Sequence, residues 1–281
     1  MMIWLVQSSG VEQVKRICLS IAALAALTAG QAFAADLPPA PPVYKAPAAY
    51  VPVEPPCMWC GFYVGAYAGY GWGNSDATGT LDPTSAFGNA PPVAQPAYNA
   101  NMSPTLKPNG FTGGGTIGGN WQTGSLVFGA EGDFGYSGLS DTVTTTVAPP
   151  GHVALTSITK VNTNWVATLR ARAGWAFGPV LVYVTGGGAA TDLNFNQNNT
   201  YATLGPTGIE NTSFSNTKFG WTAGGGLEYM FSRNWTAKAE YLYMDFGSIS
   251  GTGIVPIQPV TVSHSANLTV NLARAGVNYK F

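Results

Sequence analysis

From Gly61 to Phe281 the chain is built of segments that change character at every second residue. One parity of each segment is apolar or aromatic; the other is small, polar or charged. A strand turns successive side chains to opposite faces, whereas a helix repeats its apolar positions every three or four residues. Eight segments carry the two-residue period: 61–73, 110–122, 125–137, 164–178, 180–190, 218–231, 234–247 and 267–281. The fold class this dictates is all-β.

Composition agrees. The chain holds 36 Gly, 13 Tyr, 13 Phe and 8 Trp but is only 9% charged, a mix that suits strands joined by turns rather than a helical enzyme. Its formal net charge of −1 offers no cationic surface, so nucleic acid is not an expected partner.

The connections alternate in length. "QTGS" joins the second and third segments, Gly178–Pro179 the fourth and fifth, and residues 232–234 the sixth and seventh. The other four, 74–109, 138–163, 191–217 and 248–266, are long and rich in Asn, Thr, Ser, Pro and Gly, and read as surface loops. Tight turns at one end and long loops at the other predict a transmembrane antiparallel up-and-down β-barrel of eight strands, its turns periplasmic and its loops extracellular.

The two faces are distinguished by their charges and their tryptophans. One parity collects Glu131, Asp133, Arg170, Arg172, Glu228, Lys238, Glu240 and Arg274, four anions and four cations. The other carries Trp72, Trp121, Trp165, Trp175, Trp221 and Trp235, all near segment ends. With alternating strand direction Trp72, Trp165 and Trp221 fall at the long-loop end, and Trp121, Trp175 and Trp235 at the short-turn end. Between them this face is mostly Ala, Gly, Val and Leu. Two aromatic belts around an aliphatic band describe a surface meeting lipid, and the charges then face the lumen.

The N-terminal 34 residues read as a signal peptide. Lys15 and Arg16 precede the apolar run 17–30, and Ala32–Ala34 is an A-x-A site with cleavage after Ala34. Residues 35–60 form a Pro-rich periplasmic segment, extended by its eight prolines between Pro38 and Pro56. The barrel occupies 61–281.

The segments "GFYVGAYAGYGWG", "FGAEGDFGYS", "LRARAGWAF", "KFGWTAGGGLEYMF" and "WTAKAEYLYMDFG", with a last strand ending in Phe281, resemble the small porin-like outer-membrane proteins of alphaproteobacteria, within the OmpA-like barrel superfamily. The resemblance implies an abundant surface component concerned with envelope integrity and host contact. Val277, Tyr279 and Phe281 resemble the C-terminal signal that such barrels present to their assembly machinery. The chain departs from the usual pattern at Cys57–Met58–Trp59–Cys60, ahead of the first strand.

Two uses of the inward charges follow. Side chains fill an eight-stranded barrel, so balanced charges can pair into a plug in a structural protein of the envelope. Alternatively they tune a narrow pore for small solutes. A third possibility is contact with host or surface partners through the loops. The expected partners are outer-membrane lipid and lipopolysaccharide, the barrel-assembly machinery, and the cell wall through the Pro-rich segment. Cys57 and Cys60 are expected to form a local disulfide. His152 and His264 fall in long connections with no acidic residue close in sequence, and G-x-S-x-G is absent. No catalytic residue, metal ligand or cofactor is expected.

Overall fold

The computed structural model describes residues 57–82, 94–202, 208–255 and 260–281. The signal peptide and nearly all of the Pro-rich segment lie outside the described residues. In chain order the elements are β1 (Gly61–Leu81), α1 (Ala94–Asn101), β2 (Thr105–Leu106), β3 (Asn109–Thr123), β4 (Leu126–Ser137), β5 (Ser140–Val147), β6 (Leu155–Asn162), β7 (Trp165–Phe177), β8 (Val180–Tyr201), β9 (Ile209–Ser232), β10 (Trp235–Val255) and β11 (Val260–Lys280).

Eight of these strands close a ring in the order β1, β3, β4, β7, β8, β9, β10, β11 and back to β1, every pairing antiparallel. Closure occurs at β1, where Val64 faces Tyr279 of β11 on one side and Ile117 of β3 on the other. A closed ring satisfies the backbone without an edge, which is what a strand-built wall in hydrocarbon requires. The tight turns stand where the sequence places them. Gly178, in the β7–β8 turn, has φ +61°, which costs Gly nothing and a residue with a Cβ a steric penalty.

The four long connections are not loops for most of their length. They extend β1, β8, β9, β10 and β11 beyond the aromatic belt, add the hairpin β5–β6 against β8, and supply α1. Composition misleads here because the alternation persists with its polarity reversed. Along β8 the outward residues pass from Val182 and Val184 to Asn194, Asn196 and Asn198, while the inward ones pass from Thr185 to Leu193 and Phe195. Within lipid the outer face must be apolar; in water the apolar residues turn inward. The extension buries two clusters. Leu242, Met244, Phe246, Leu193, Phe195, Leu268, Val270 and Leu272 belong to the lower one. Leu81, Tyr98, Met102, Leu155, Tyr201, Val255 and Val262 belong to the upper one.

Helix α1 joins β1 to the β5–β6 hairpin. It buries Ala94, Tyr98 and Asn101, three and four residues apart on one face. Tyr98 Oη donates to Val153 O (2.7 Å), Asn101 Nδ2 to Ser157 Oγ (3.1 Å), and Leu81 N to Asn99 Oδ1 (3.0 Å). Elsewhere in the extension β10 bulges between Asp245 and Ser248, with Gly247 at φ +64°. Its ladder with β9 ends there, at Asp245–Trp221, and β10 continues with β11 alone. A bulge bends its strand and ends pairing.

Between the two clusters of the extension lies a polar pair. Glu210 is 0% and His264 1% exposed. His264 Nε2 lies 2.7 Å from Glu210 Oε1, and Glu210 also accepts from Asn199 Nδ2 (2.8 Å) and Thr212 Oγ1 (2.7 Å). Burial opposes the charged carboxylate, but the hydrogen bonds from His264, Asn199 and Thr212 outweigh it and hold Glu210 below the ordinary glutamate range. A carboxyl depressed in the folded state stabilises it above the unfolded value of about 4.3, and that contribution is lost as pH falls through the folded value. Amide-exchange protection of β8 193–201 and β9 209–216 should therefore drop as pH is lowered below about 4. In Glu210→Gln this acid-side loss should be absent.

Candidate functional site: the charged interior of the barrel

Eight charged residues project from five strands into the lumen: Glu131 and Asp133 from β4, Arg170 and Arg172 from β7, Glu228 from β9, Lys238 and Glu240 from β10, and Arg274 from β11. Period two puts each pair within a strand on the same face, and register sets their heights. Glu131 faces Arg170 across β4–β7, and Glu240 faces Arg274 across β10–β11. None of the eight side chains is more than 3% exposed.

Arg170 is the hub. Its Nη2 reaches Glu131 Oε1 at 2.5 Å and Asp133 Oδ2 at 2.7 Å, and its Nη1 reaches Glu240 Oε1 at 2.9 Å. The last contact crosses the lumen from β7 to β10. Arg274 Nη2 meets Glu240 Oε2 at 2.5 Å and Asp133 Oδ2 at 3.0 Å. Lys238 and Glu228 are register neighbours, yet each pairs across the barrel: Lys238 Nζ with Glu131 Oε2 at 2.8 Å, and Arg172 Nη2 with Glu228 Oε2 at 2.6 Å. Every anion has a cation and every cation an anion.

Neutral groups complete the set. Tyr63 Oη donates to Glu131 Oε2 (2.8 Å) and accepts from Arg172 Nη1 (3.0 Å); Tyr183 Oη donates to Glu240 Oε1 (3.1 Å). Thr116 and Thr168 donate to Asp133, and Thr236 and Asn278 to Glu228. The guanidinium carbons of Arg172 and Arg274 lie 4.2 Å and 4.4 Å from the ring centroids of Tyr183 and Tyr67. A buried charge is tolerated only when paired and hydrogen-bonded; each of the eight has an opposite charge in reach, and of their buried polar atoms Arg172 Nε is left without a hydrogen-bond partner.

Layers close the lumen on both sides of the charges. Toward the periplasm, Trp59 is 1% exposed and packs with Val127, Ala176, Leu181 and Tyr183. Toward the outside, Leu242, Leu272, Met244 and Val270 begin the apolar column. Among the described residues no group of three or more His, Cys, Asp or Glu is placed to hold a metal ion.

The six belt tryptophans lie on the outer face, and Trp72, Trp165, Trp221 and Trp235 have aromatic neighbours there. Trp221 lies 5.3 Å from Tyr243, Trp235 5.1 Å from Tyr279, and Trp165 6.1 Å from Phe134, between ring centroids. Val277, Tyr279 and Phe281 share that face, and Phe281 N donates to Phe62 O of β1. Cys57 and Cys60 are joined by a disulfide. His152 stands in the β5–β6 connection, apart from His264 and its partner Glu210.

Four further interior residues matter, and the charge pattern of the sequence does not mark them. Tyr63, Tyr67 and Tyr183 lie on the polar parity of their strands, which was the available signal. Trp59 lies ahead of the first alternating segment and gives none.

The model of the outer membrane protein beta-barrel domain family matches residues 20–281. The 31 kDa outer-membrane immunogenic protein of Brucella melitensis is 33% identical over 265 residues, covering 93% of this chain and 98% of that one. The 22 kDa outer membrane protein of Rhizobium leguminosarum is 30% identical over 197 residues, 70% of this chain and 69% of that one. Among solved structures, OprG of Pseudomonas aeruginosa aligns with TM-score 0.39 and 12% identity, over 79% of this chain and 96% of that one. With its closed ring, its exterior aromatic belts and these relatives, the chain belongs to the outer membrane protein beta-barrel domain family and is an integral outer-membrane β-barrel of the alphaproteobacterial kind.

Proposed function

We propose that this protein is a surface-exposed structural component of the outer membrane that supports envelope integrity and has no open channel and no enzymatic activity. The observation that carries the reading is the complete pairing of the eight lumen charges, Arg170 bridging β4 to β10. A selective pore presents unpaired charges to a path of water, whereas these are turned toward one another beneath an apolar column.

Several features supply the partners of this reading. The outer aromatic levels match the headgroup regions of lipid and lipopolysaccharide. The outward Val277, Tyr279 and Phe281 would be the signal read by the assembly machinery, and the Pro-rich segment would be the part of the chain that contacts the cell wall. The polar extension stands clear of the membrane, and the Brucella relatives are named outer-membrane immunogenic proteins, so a role as surface antigen fits.

In planar bilayers the refolded protein should give no discrete conductance steps, and steady steps from the wild type would favour the small-solute porin instead. Arg170→Met should leave four buried anions to three cations and cost about 3–5 kcal/mol, read by urea unfolding in lipid vesicles. An unchanged midpoint would remove the plug reading. Deleting Phe281 should lower the fraction that reaches the outer membrane in heat-modifiable form.

A further inference from the structure

Cys57–Met58–Trp59–Cys60 closes a small ring at the periplasmic rim. The ring has two sides. Trp59 projects inward and seals the mouth, its N donating to Gln122 Oε1 (2.9 Å) and its Nε1 to Gly178 O (3.1 Å). It thereby ties the ring to the residues at the β3–β4 and β7–β8 turns. The opposite side faces water: Cys57 is exposed, Met58 is 42% exposed, and Lys280 Nζ holds Met58 O. The two sulfurs are not equivalent. Cys60 is only partly exposed and its Sγ accepts a hydrogen bond from Gln122 N at 3.3 Å.

We propose that Cys57–Cys60 is a redox modification site, reduced by an exported dithiol protein, whose state sets how firmly Trp59 seals the periplasmic mouth. The accessible sulfur is the one attacked. A partner thiolate forms a mixed disulfide with Cys57 and breaks the Cys57–Cys60 bond. The leaving thiolate of Cys60 is stabilised by the Gln122 N–H and takes a proton. The partner's second thiol then displaces Cys57. The partner ends as a disulfide, and both cysteines end as thiols, having gained two electrons and two protons. Opening the ring leaves the seated Trp59 as it is but restores conformations to the unseated state, as cutting any cross-link does. The unseated population should rise on the order of tenfold. The proposal concerns the mouth alone and stands whether or not the charged layer conducts.

The test uses the mature, folded protein in lipid vesicles, with dithiothreitol as the dithiol and no denaturant. Alkylation followed by mass spectrometry should show two labels on the peptide containing Cys57 and Cys60, while heat-modifiable migration shows the barrel intact. Amide-exchange protection of segments 57–60 and 120–124 should fall about tenfold in the reduced protein and in the Cys57→Ser/Cys60→Ser variant. Trp59→Ala should lose the same protection while still oxidised, which ties the effect to the seat. If the cysteines resist reduction until the barrel unfolds, the site is structural and the proposal falls. If both are labelled and protection is unchanged, reduction does not loosen the seal and the proposal also falls. The dithiothreitol arm stands should the double serine variant fail to fold.

Discussion

Hydrocarbon offers no hydrogen-bond partner and no solvation for charge, and the rest of this molecule follows from that. Each backbone group in the wall finds its partner in a neighbouring strand, which forces the ring to close at β1 between β3 and β11. Each interior charge finds its partner among seven others. The pairing is collective: the register neighbours Lys238 and Glu228 both pass over one another to reach β4 and β7. Cross-lumen pairs of this kind make the interior a brace between opposite walls. Removing one member leaves a buried charge uncompensated, which costs more than the pair itself contributes.

The same strands serve two solvents. Below the outer aromatic level the apolar parity faces lipid and the polar parity faces the lumen. Above it the faces exchange chemistry without exchanging parity, so that Leu193 and Phe195 continue the inward row that holds Thr185. The change marks the membrane boundary on each strand. It also explains how a protein with a polar lumen has a water-exposed extension with an ordinary apolar core. Helix α1 and the Gly247 bulge both shape that extension, the helix joining β1 to the hairpin and the bulge ending the β9–β10 ladder.

The eight strands, their tight turns and the face of every belt tryptophan were legible because period two is a local property that survives in the linear chain. The upper strands were not, since Asn, Thr and Ser read as loop wherever composition is weighed ahead of periodicity. The pair Glu210–His264 was out of reach for another reason. The two residues are 54 apart, and only the approach of β9 to β11 brings them to 2.7 Å. Trp59 belongs with them. No repeat announces it, and its burial depends on turns formed by residues 63 and 119 positions later in the chain.

By itself the sequence determined the alternation, and through it the all-β class, the number of strands in the ring and the sorting of charge from aromatic, because side-chain direction along a strand depends only on parity. The tertiary structure alone decided which charges meet, that the lumen is filled from Trp59 to the upper core, and that the long connections are sheet and helix. Those outcomes depend on register, curvature and ring closure, which bring together side chains whose distance apart is not written in their spacing.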